Sequence, residues 1–565
     1  MRLGISASDA IQAPSFPHVW EQMQQPGLCR WVAVDDLSQR LLIGELNDND
    51  LSADIECLTG ICPDIQAHAN AAGMTGPDAN HAVAAEHLIS VSPSAGLRTR
   101  SATHEQRRII DLVVNDADVA VSAFAGTGKT TTLDMVARAK PVPTLALMFN
   151  KAIAQQASDR LPDHVQAQTI HSLARQLSPE WVQRKAGIPN PHPTQMASAL
   201  GIEKYFEAET GAVIEPATLV ALAMDAINRF CVSEDIEIGQ QHLTIPAVFG
   251  DRIPLRLLER IHGIAQRIWY DISTPAGSRF PVGHNHYLKL WAMTEPALPS
   301  RFEMVMFDEA QDANPVMAGI IASQREGRQL IIVGDSAQRI YSFNGAVDMF
   351  DSFTAMTEAR LTESFRFGET IAGIANVILS RLNVEHQVTG NGSLGSIGPE
   401  PFPDAYIARG NGPLYETAAG LHALGRPFSL AGAEELASFV ESARCLQNGL
   451  LGSHPTLTGF THWDQVREAA TQVEDVDPHF TRLVELVDFH SVDHVSEIAN
   501  ASLPSQSGVP HLTTAHRSKG QEWESVKLVD DFQTDEATDP EELRVLYVAA
   551  TRAKAHLDLN NVPIF

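Results

Sequence analysis

Residues 123–130 read AFAGTGKT, and residues 307–312 read FDEAQD. The first is a glycine-rich turn ending in Lys129 and Thr130; the alternating apolar stretch DVAVS (118–122) leads into it, and residues 131–139 can continue as a helix. Strand, loop and helix in that order let backbone N–H groups at a helix N-terminus cradle phosphates. Gly126 and Gly128 remove the Cβ atoms that would hold the phosphates off. The expected nucleotide segment is therefore Ala125, Gly126, Thr127, Gly128, Lys129, Thr130 and Thr131, with Lys129 on the β and γ phosphates and Thr130 on Mg²⁺. Ala123 stands where the generic pattern has its first glycine.

The second stretch completes the first. MVMF (304–307) reads as a buried strand delivering Asp308 and Glu309 to its carboxyl end, where doubly wound parallel sheets bind ligands. Asp308 is placed for Mg²⁺ and Glu309 for an attacking water. A helix cap would account for Asp308 alone but not for its pairing with a distant phosphate loop. An α/β chain that hydrolyses ATP is the expectation.

The chain has 565 residues, of which 44% are hydrophobic, enough for three to four domains at about 150 residues each. No stretch approaches the ~18 apolar residues of a membrane span, and no basic start leads into an apolar leader, so a cytoplasmic protein without membrane partners is expected. Five cysteines are too scattered for a disulfide framework, and Cys57, Cys62 and His68 fit no strong zinc spacing. The formal charge of −28 leaves little for a polyanionic partner except a narrow, arginine-rich groove with salt-sensitive affinity. Part of the imbalance is segregated: residues 1–100 hold twelve acidic against five basic side chains, and Lys129 is the first lysine.

Seven further segments fall in fixed order around the phosphate loop and the carboxylates. They are THEQR (103–107), LALMFNKA (145–152), QTIHSL (168–173), LIIVGDSAQRIYSFNGA (330–346), LTESFRFG (361–368), TTAHRSKGQEW (513–523) and ELRVLYVAATRA (542–553). Taken singly, several have plain readings. Thr103 and Gln106 make a capping box, His171 a packed core residue, Tyr341 and Phe343 core aromatics, and Arg552 a solvated helix arginine. In this order the chain resembles superfamily 1 helicases of the UvrD/Rep type, and within them looks most like the F-box DNA helicase branch. The resemblance covers roughly residues 102–565.

That resemblance implies two RecA-like parallel-sheet motor domains with helical insertions. It implies that Gln106 reads adenine, Phe365 stacks on it and Glu522 lies near the ribose. Gln338 would sense the γ-phosphate, and Arg366 and Arg552 would act as arginine fingers from the second motor domain. Phe149, Asn150, Lys151, Thr169, His171, Tyr341, Phe343, His516 and Lys519 would contact nucleic acid, with aromatic stacking suited to a motor because every base has a π-face. The family usually has arginine where this chain has Asn344, and an apolar residue at Gln521.

The expected organisation is an N-terminal extension of uncertain fold (1–101), a first motor domain (102–180 and 300–355) carrying a helical insertion (181–299), and a second (356–434 and 506–565) carrying a reduced insertion (435–505). Within the extension, residues 30–45 alternate like two strands, and protein partners would dock there. The implied activity is ATP-dependent 3′→5′ translocation on single-stranded or tailed duplex DNA, in repair or recombination. The alternative is a nucleic-acid-stimulated ATPase switch or loader that does not unwind processively.

Overall fold

The computed structural model describes residues 29–35, 40–46 and 102–564, apart from 189–190, 192, 204–205, 208–212, 245–254, 278, 326, 342–344, 346–347, 451, 458–459, 473–477 and 536–537. The chain divides into two compact units, Met1–Ala102 and Thr103–Phe565. In the first, β1 (Cys29–Asp35) and β2 (Arg40–Leu46) pair antiparallel, from Cys29 opposite Leu46 to Asp35 opposite Arg40. This is the two-strand alternation read at residues 30–45. Cys57, Cys62 and His68 lie outside the described residues.

The second unit begins with β3 (Val119–Ala123), β4 (Thr144–Met148) and β5 (Val165–Thr169). A small antiparallel pair, β6 (Phe206–Glu207) and β7 (Val213–Ile214), lies in a helical interval before β8 (Met304–Asp308), β9 (Gln329–Gly334) and β10 (Thr357–Leu361). Then follow β11 (Ser396–Ile397), β12 (Ala405–Ala408), β13 (Ser429–Leu430), β14 (His511–Thr514), β15 (Trp523–Leu528) and β16 (Ala553–Asp558). They form two six-stranded sheets, ordered β10-β3-β9-β8-β4-β5 and β11-β16-β15-β12-β14-β13. Every neighbouring pair in both is parallel.

The inner strands of the first sheet, VAVSA, TLALM, MVMFD and QLIIVG, are almost continuously apolar because both faces are covered. Alternate residues serve opposite layers. Val121, Ala146, Met306 and Val333 pack against Ile109, Val113, Leu133 and Val136 of helices His104–Val114 and Lys129–Ala139. Leu145, Leu147, Phe307 and Ile332 face the opposite way, sharing one core with helices Pro216–Val232, Leu255–Ser273 and His284–Ala292. These three helices of the 181–299 interval are thus continuous with the sheet's own core.

In the second sheet, Ala405, Ile407, Val526 and Leu557 face helices Glu369–Arg381 and Pro540–Ala550. Tyr406, Ala408, Leu430 and Leu512 face helices Asn411–Ala423, Ala433–Gln447, Pro478–His490 and Val492–Ala501. Two details differ from the sequence-based division. β10 is hydrogen-bonded to β3 from Thr357 opposite Val119 to Leu361 opposite Ala123, so the first lobe runs to residue 361 and not 355. As an edge strand with exposed alternate residues (TEARL), it gave no apolar signal. Residues 435–505, expected as a reduced insertion, form a helical layer on the second sheet, because Phe439, Val487 and Val495 share a core with Leu430 and Leu512.

The fold is α/β, two parallel sheets each between helical layers. Among the described residues no helix is long and apolar enough to cross a membrane. Since β3, β9 and β8 are neighbours and strands lie ~4.8 Å apart, the loops leaving their carboxyl ends converge within roughly 10 Å.

Candidate nucleotide and nucleic-acid site

The loop after β3 opens the helix Lys129–Ala139, with Gly126 (φ +74°) and Gly128 (φ +79°) both in the left-handed region that glycine tolerates. Thr127 Oγ1 donates to the Phe124 carbonyl at 2.8 Å, and Thr132 Oγ1 to the Gly128 carbonyl at 3.0 Å, fixing the turn. Lys129 Nζ forms an ion pair with Glu309 Oε2 at 2.8 Å, and Gln311 Nε2 donates to the same oxygen at 2.5 Å. Glu309 has φ +57°, a conformation that costs a non-glycine residue on the order of 1 kcal/mol or more and clusters at functional sites. Its backbone N–H donates to Asp308 Oδ1 at 3.0 Å.

Burial, then the neighbouring Glu309 carboxylate, pushes Asp308 up to about 7. Burial also works on Glu309, but Lys129 and Lys519 reverse it and hold that carboxyl down to about 2. Burial raises Asp312 and Asp335 to about 6 each. Buried carboxylates of this density call for further positive charge. The donors expected for the metal, the Thr130 hydroxyl and the Asp308 carboxylate, are hard oxygens of the kind Mg²⁺ prefers, and the loop offers the Cβ-free cradle phosphates require.

The opposite wall comes from the second lobe. The Phe365 N–H donates to the Gly126 carbonyl at 2.8 Å. A Cβ on Gly126 would stand 2.5 Å from Arg366 Cβ and 2.6 Å from Ser364 Oγ, while one on Gly128 would meet the Phe365 ring at 3.4 Å and Gln106 Nε2 at 3.6 Å. Gln106 is also the capping partner of Thr103, accepting from its N–H at 3.0 Å, and donates to Thr132 Oγ1 at 3.1 Å. The plain capping reading and placement beside the loop hold together.

Arg366 Nε donates to Glu522 Oε2 at 2.7 Å and its Nη1 to the Thr551 carbonyl at 3.0 Å. Glu522 also pairs with Lys554 at 3.3 Å. Arg552 is buried; it donates to the Val548 carbonyl at 2.9 Å and, at 3.4 Å, to Gln338 Oε1, whose amide donates to Asp335 Oδ2 at 2.7 Å. Burial and the Arg366 charge hold the Arg552 guanidinium below its ordinary pKa.

Beside the cleft, the Phe149 and Tyr341 rings stack at 5.8 Å and 19°, with Phe149 41% exposed. Tyr341 lies 6.2 Å from His516 of the second lobe, and its hydroxyl donates to the His516 carbonyl at 3.1 Å. Lys519 does not reach outward: its side chain is mostly covered, ion-paired with Asp312, and donates to the Gln338 carbonyl at 3.1 Å. Asn150 caps helix Lys151–Arg160 through Ile153 N at 2.9 Å, and Lys151 is exposed. Thr169 caps helix Ile170–Leu177 through Ser172 N at 3.0 Å, and His171 packs edge-on against His284 and Tyr287. Phe343 and Asn344 lie outside the described residues.

An AAA domain model matches residues 106–344, and a UvrD-like helicase C-terminal domain model matches residues 511–559. F-box DNA helicase protein 1 of Schizosaccharomyces pombe is 29% identical over 521 residues, covering 83% of this chain and 58% of that protein. F-box DNA helicase 1 of Gallus gallus is 27% identical over 507 residues, 82% of this chain and 49% of its own length. Together these matches support a UvrD-like helicase of superfamily 1. The chain spans about half the length of these two relatives. The mitochondrial ATP-dependent DNA helicase HMI1 of Saccharomyces cerevisiae is 32% identical over 98 residues, 16% of this chain and 14% of that protein.

Three side chains of this site escaped the sequence reading. Tyr547 is buried; its hydroxyl accepts from the Ala125 N–H at 3.3 Å and donates to Asp335 Oδ2 at 3.5 Å, so it joins the second lobe to the phosphate loop directly. It sits in the quoted ELRVLYVAATRA segment, but nothing local marks it apart from the other apolar positions. Asp335 follows β9 as Asp308 ends β8, an available signal. Asp312 closes FDEAQD and meets Lys519.

Proposed function

We propose that this chain hydrolyses ATP with Mg²⁺ and uses the cycle to travel 3′→5′ along single-stranded DNA, unwinding tailed duplex or displacing bound protein. The observation that carries the reading is the two-walled cleft: Lys129, Asp308 and Glu309 on one lobe, Phe365, Arg366 and Arg552 on the other. Thr130 and Asp308 would hold Mg²⁺, which when bound neutralises charge on the β and γ oxygens. Glu309, kept ionised beside Lys129, takes up a proton from the attacking water. Gln338 links Arg552 to Asp335, so an arginine finger arriving from the second lobe is registered in the first.

The site is complete only when the lobes are together. Phe149 and Tyr341 belong to one lobe and His516 to the other, so a strand stacked across them shifts as the lobes part. DNA as the polymer rests on the relatives' names, and direction on the family resemblance. The same resemblance supports work in repair or recombination, and cysteine usage supports a cytoplasmic setting; residues 1–101 would dock protein partners.

The test is displacement of a labelled strand from duplexes with a 3′ or a 5′ oligo-dT tail, with ATP turnover measured alongside. Displacement confined to the 3′ tail is expected. The switch or loader reading gains from one observation, that residues 435–505 pack onto the second sheet and do not stand as a second insertion. ATP turnover stimulated by oligo-dT with no displacement of duplex or protein would favour it.

A further inference from the structure

Lys519 was expected at the nucleic acid, yet its ammonium is turned inward, between the aromatic pair and the carboxylates. It is ion-paired with Asp312, donates to the Gln338 carbonyl at 3.1 Å, and stands 5.3 Å from the Tyr341 ring centroid and 5.8 Å from that of Phe149. Cations this close to ring faces are held by the π-electron quadrupole. The same charge helps Lys129 hold Glu309 down against burial, and opposes the burial that raises Asp308. Asp312 lies three residues beyond Glu309, and Gln338 is the side chain that Arg552 meets.

We propose that Lys519 is a positioning residue that reports occupancy of the Phe149–Tyr341 pair to the hydrolytic carboxylates through Asp312 and the Gln338 carbonyl. A base stacking on Phe149 alters the ring surface the ammonium shares. The same ammonium is fixed to the segment carrying Glu309 and to the one carrying Gln338. Coming from the second lobe, it makes this link only when the lobes are together. The inference rests on the proposed strand-stimulated ATPase and replaces a direct phosphate contact for Lys519 with an indirect role.

The two roles differ in measurable ways. A residue touching a phosphate weakens strand binding and lowers the salt slope of binding by about 1 when removed. A positioning residue leaves that slope alone and lowers stimulation, by about tenfold if the coupling is of ordinary size. The experiment measures oligo-dT affinity across a salt series, and ATP turnover with and without oligo-dT, for the full chain and for Lys519→Met, Lys519→Arg and Asp312→Asn.

Expected are an unchanged salt slope in all variants, stimulation lost about tenfold in Lys519→Met and in Asp312→Asn, no further loss when the two are combined, and partial recovery in Lys519→Arg. Asp312→Asn keeps the test usable if Lys519→Met does not fold. Full stimulation in either neutralised variant, additive losses in the double variant, or a salt slope reduced by about 1 overturns the proposal. Wild-type protein whose turnover ignores oligo-dT overturns the parent reading and this one together; the other outcomes overturn this one alone.

Discussion

Replacing Glu309 by glutamine removes one negative charge and one proton acceptor while keeping the side chain's length. In the proposed reaction this carboxylate is the proton acceptor, and in the structure it is also the partner of Lys129 at 2.8 Å. Loss of a positioned general base lowers turnover by roughly 10² to 10⁴, or about 3–5 kcal/mol of barrier at 1.36 kcal/mol per decade. The second role acts oppositely on binding. At 2.8 Å the unscreened attraction at an effective dielectric of 20 is about 6 kcal/mol, an upper bound from which desolvation subtracts most. An incoming nucleotide must break that pair, so the variant should bind ATP at least as tightly as wild type. The assay is steady-state turnover together with equilibrium binding of a fluorescent ATP analogue. Turnover within threefold of wild type, or binding weakened more than tenfold, would refute the reasoning.

Lys129→Ala should abolish hydrolysis while leaving the far-UV circular dichroism unchanged, with stability lowered by up to ~3 kcal/mol because Glu309 loses its partner in a buried cluster; wild-type turnover would remove the phosphate-loop assignment. Phe149→Ala should weaken oligo-dT binding by about 1–3 kcal/mol, read by fluorescence anisotropy, since half the stacked pair is lost. His286 gives a pH test remote from the cleft. Burial lowers it from 6.5 to about 4, and its Nδ1 accepts from the Gly283 N–H at 2.9 Å, so the fold holds the neutral ring. This contribution is complete above pH 6.5 and fades as pH falls towards 4. Denaturation midpoints should show wild type losing about 2 kcal/mol more than His286→Asn between pH 7.5 and 5, and parallel losses would contradict it.

What was legible was whatever chemistry leaves in a short run of residues. An apolar strand ending in Asp308-Glu309 and a glycine-rich turn ending in Lys129 announce themselves because both faces of a parallel strand are buried and the cradle tolerates no Cβ. β10 was illegible as part of the first sheet because an edge strand with exposed alternate residues carries half the apolar pattern. The layer at 435–505 read as an insertion because sequence spacing gives helices but not the surface they cover. Lys519 and Asp312 lie 207 residues apart, so nothing local could disclose that their charges cancel. Thr169 and Asn150 are capping residues by type, and their backbone bonds follow from that alone.

The route from the first lobe to the second has a mechanical sequel. The chain makes this passage once, directly after β10, and Thr362 is tethered there to the helix His104–Val114, its N–H and hydroxyl both donating to Glu105 at 2.7 Å. Phe365 and Arg366 follow within four residues, so they stay inside roughly 14 Å of that pivot however widely the lobes swing. Lys519 follows β14 and Arg552 immediately precedes β16, and they meet the first lobe through Asp312 and Gln338. Phe365 is thus kept near the phosphate loop by a short run of chain, whereas the contacts of Lys519 and Arg552 across the cleft rest on side chains alone.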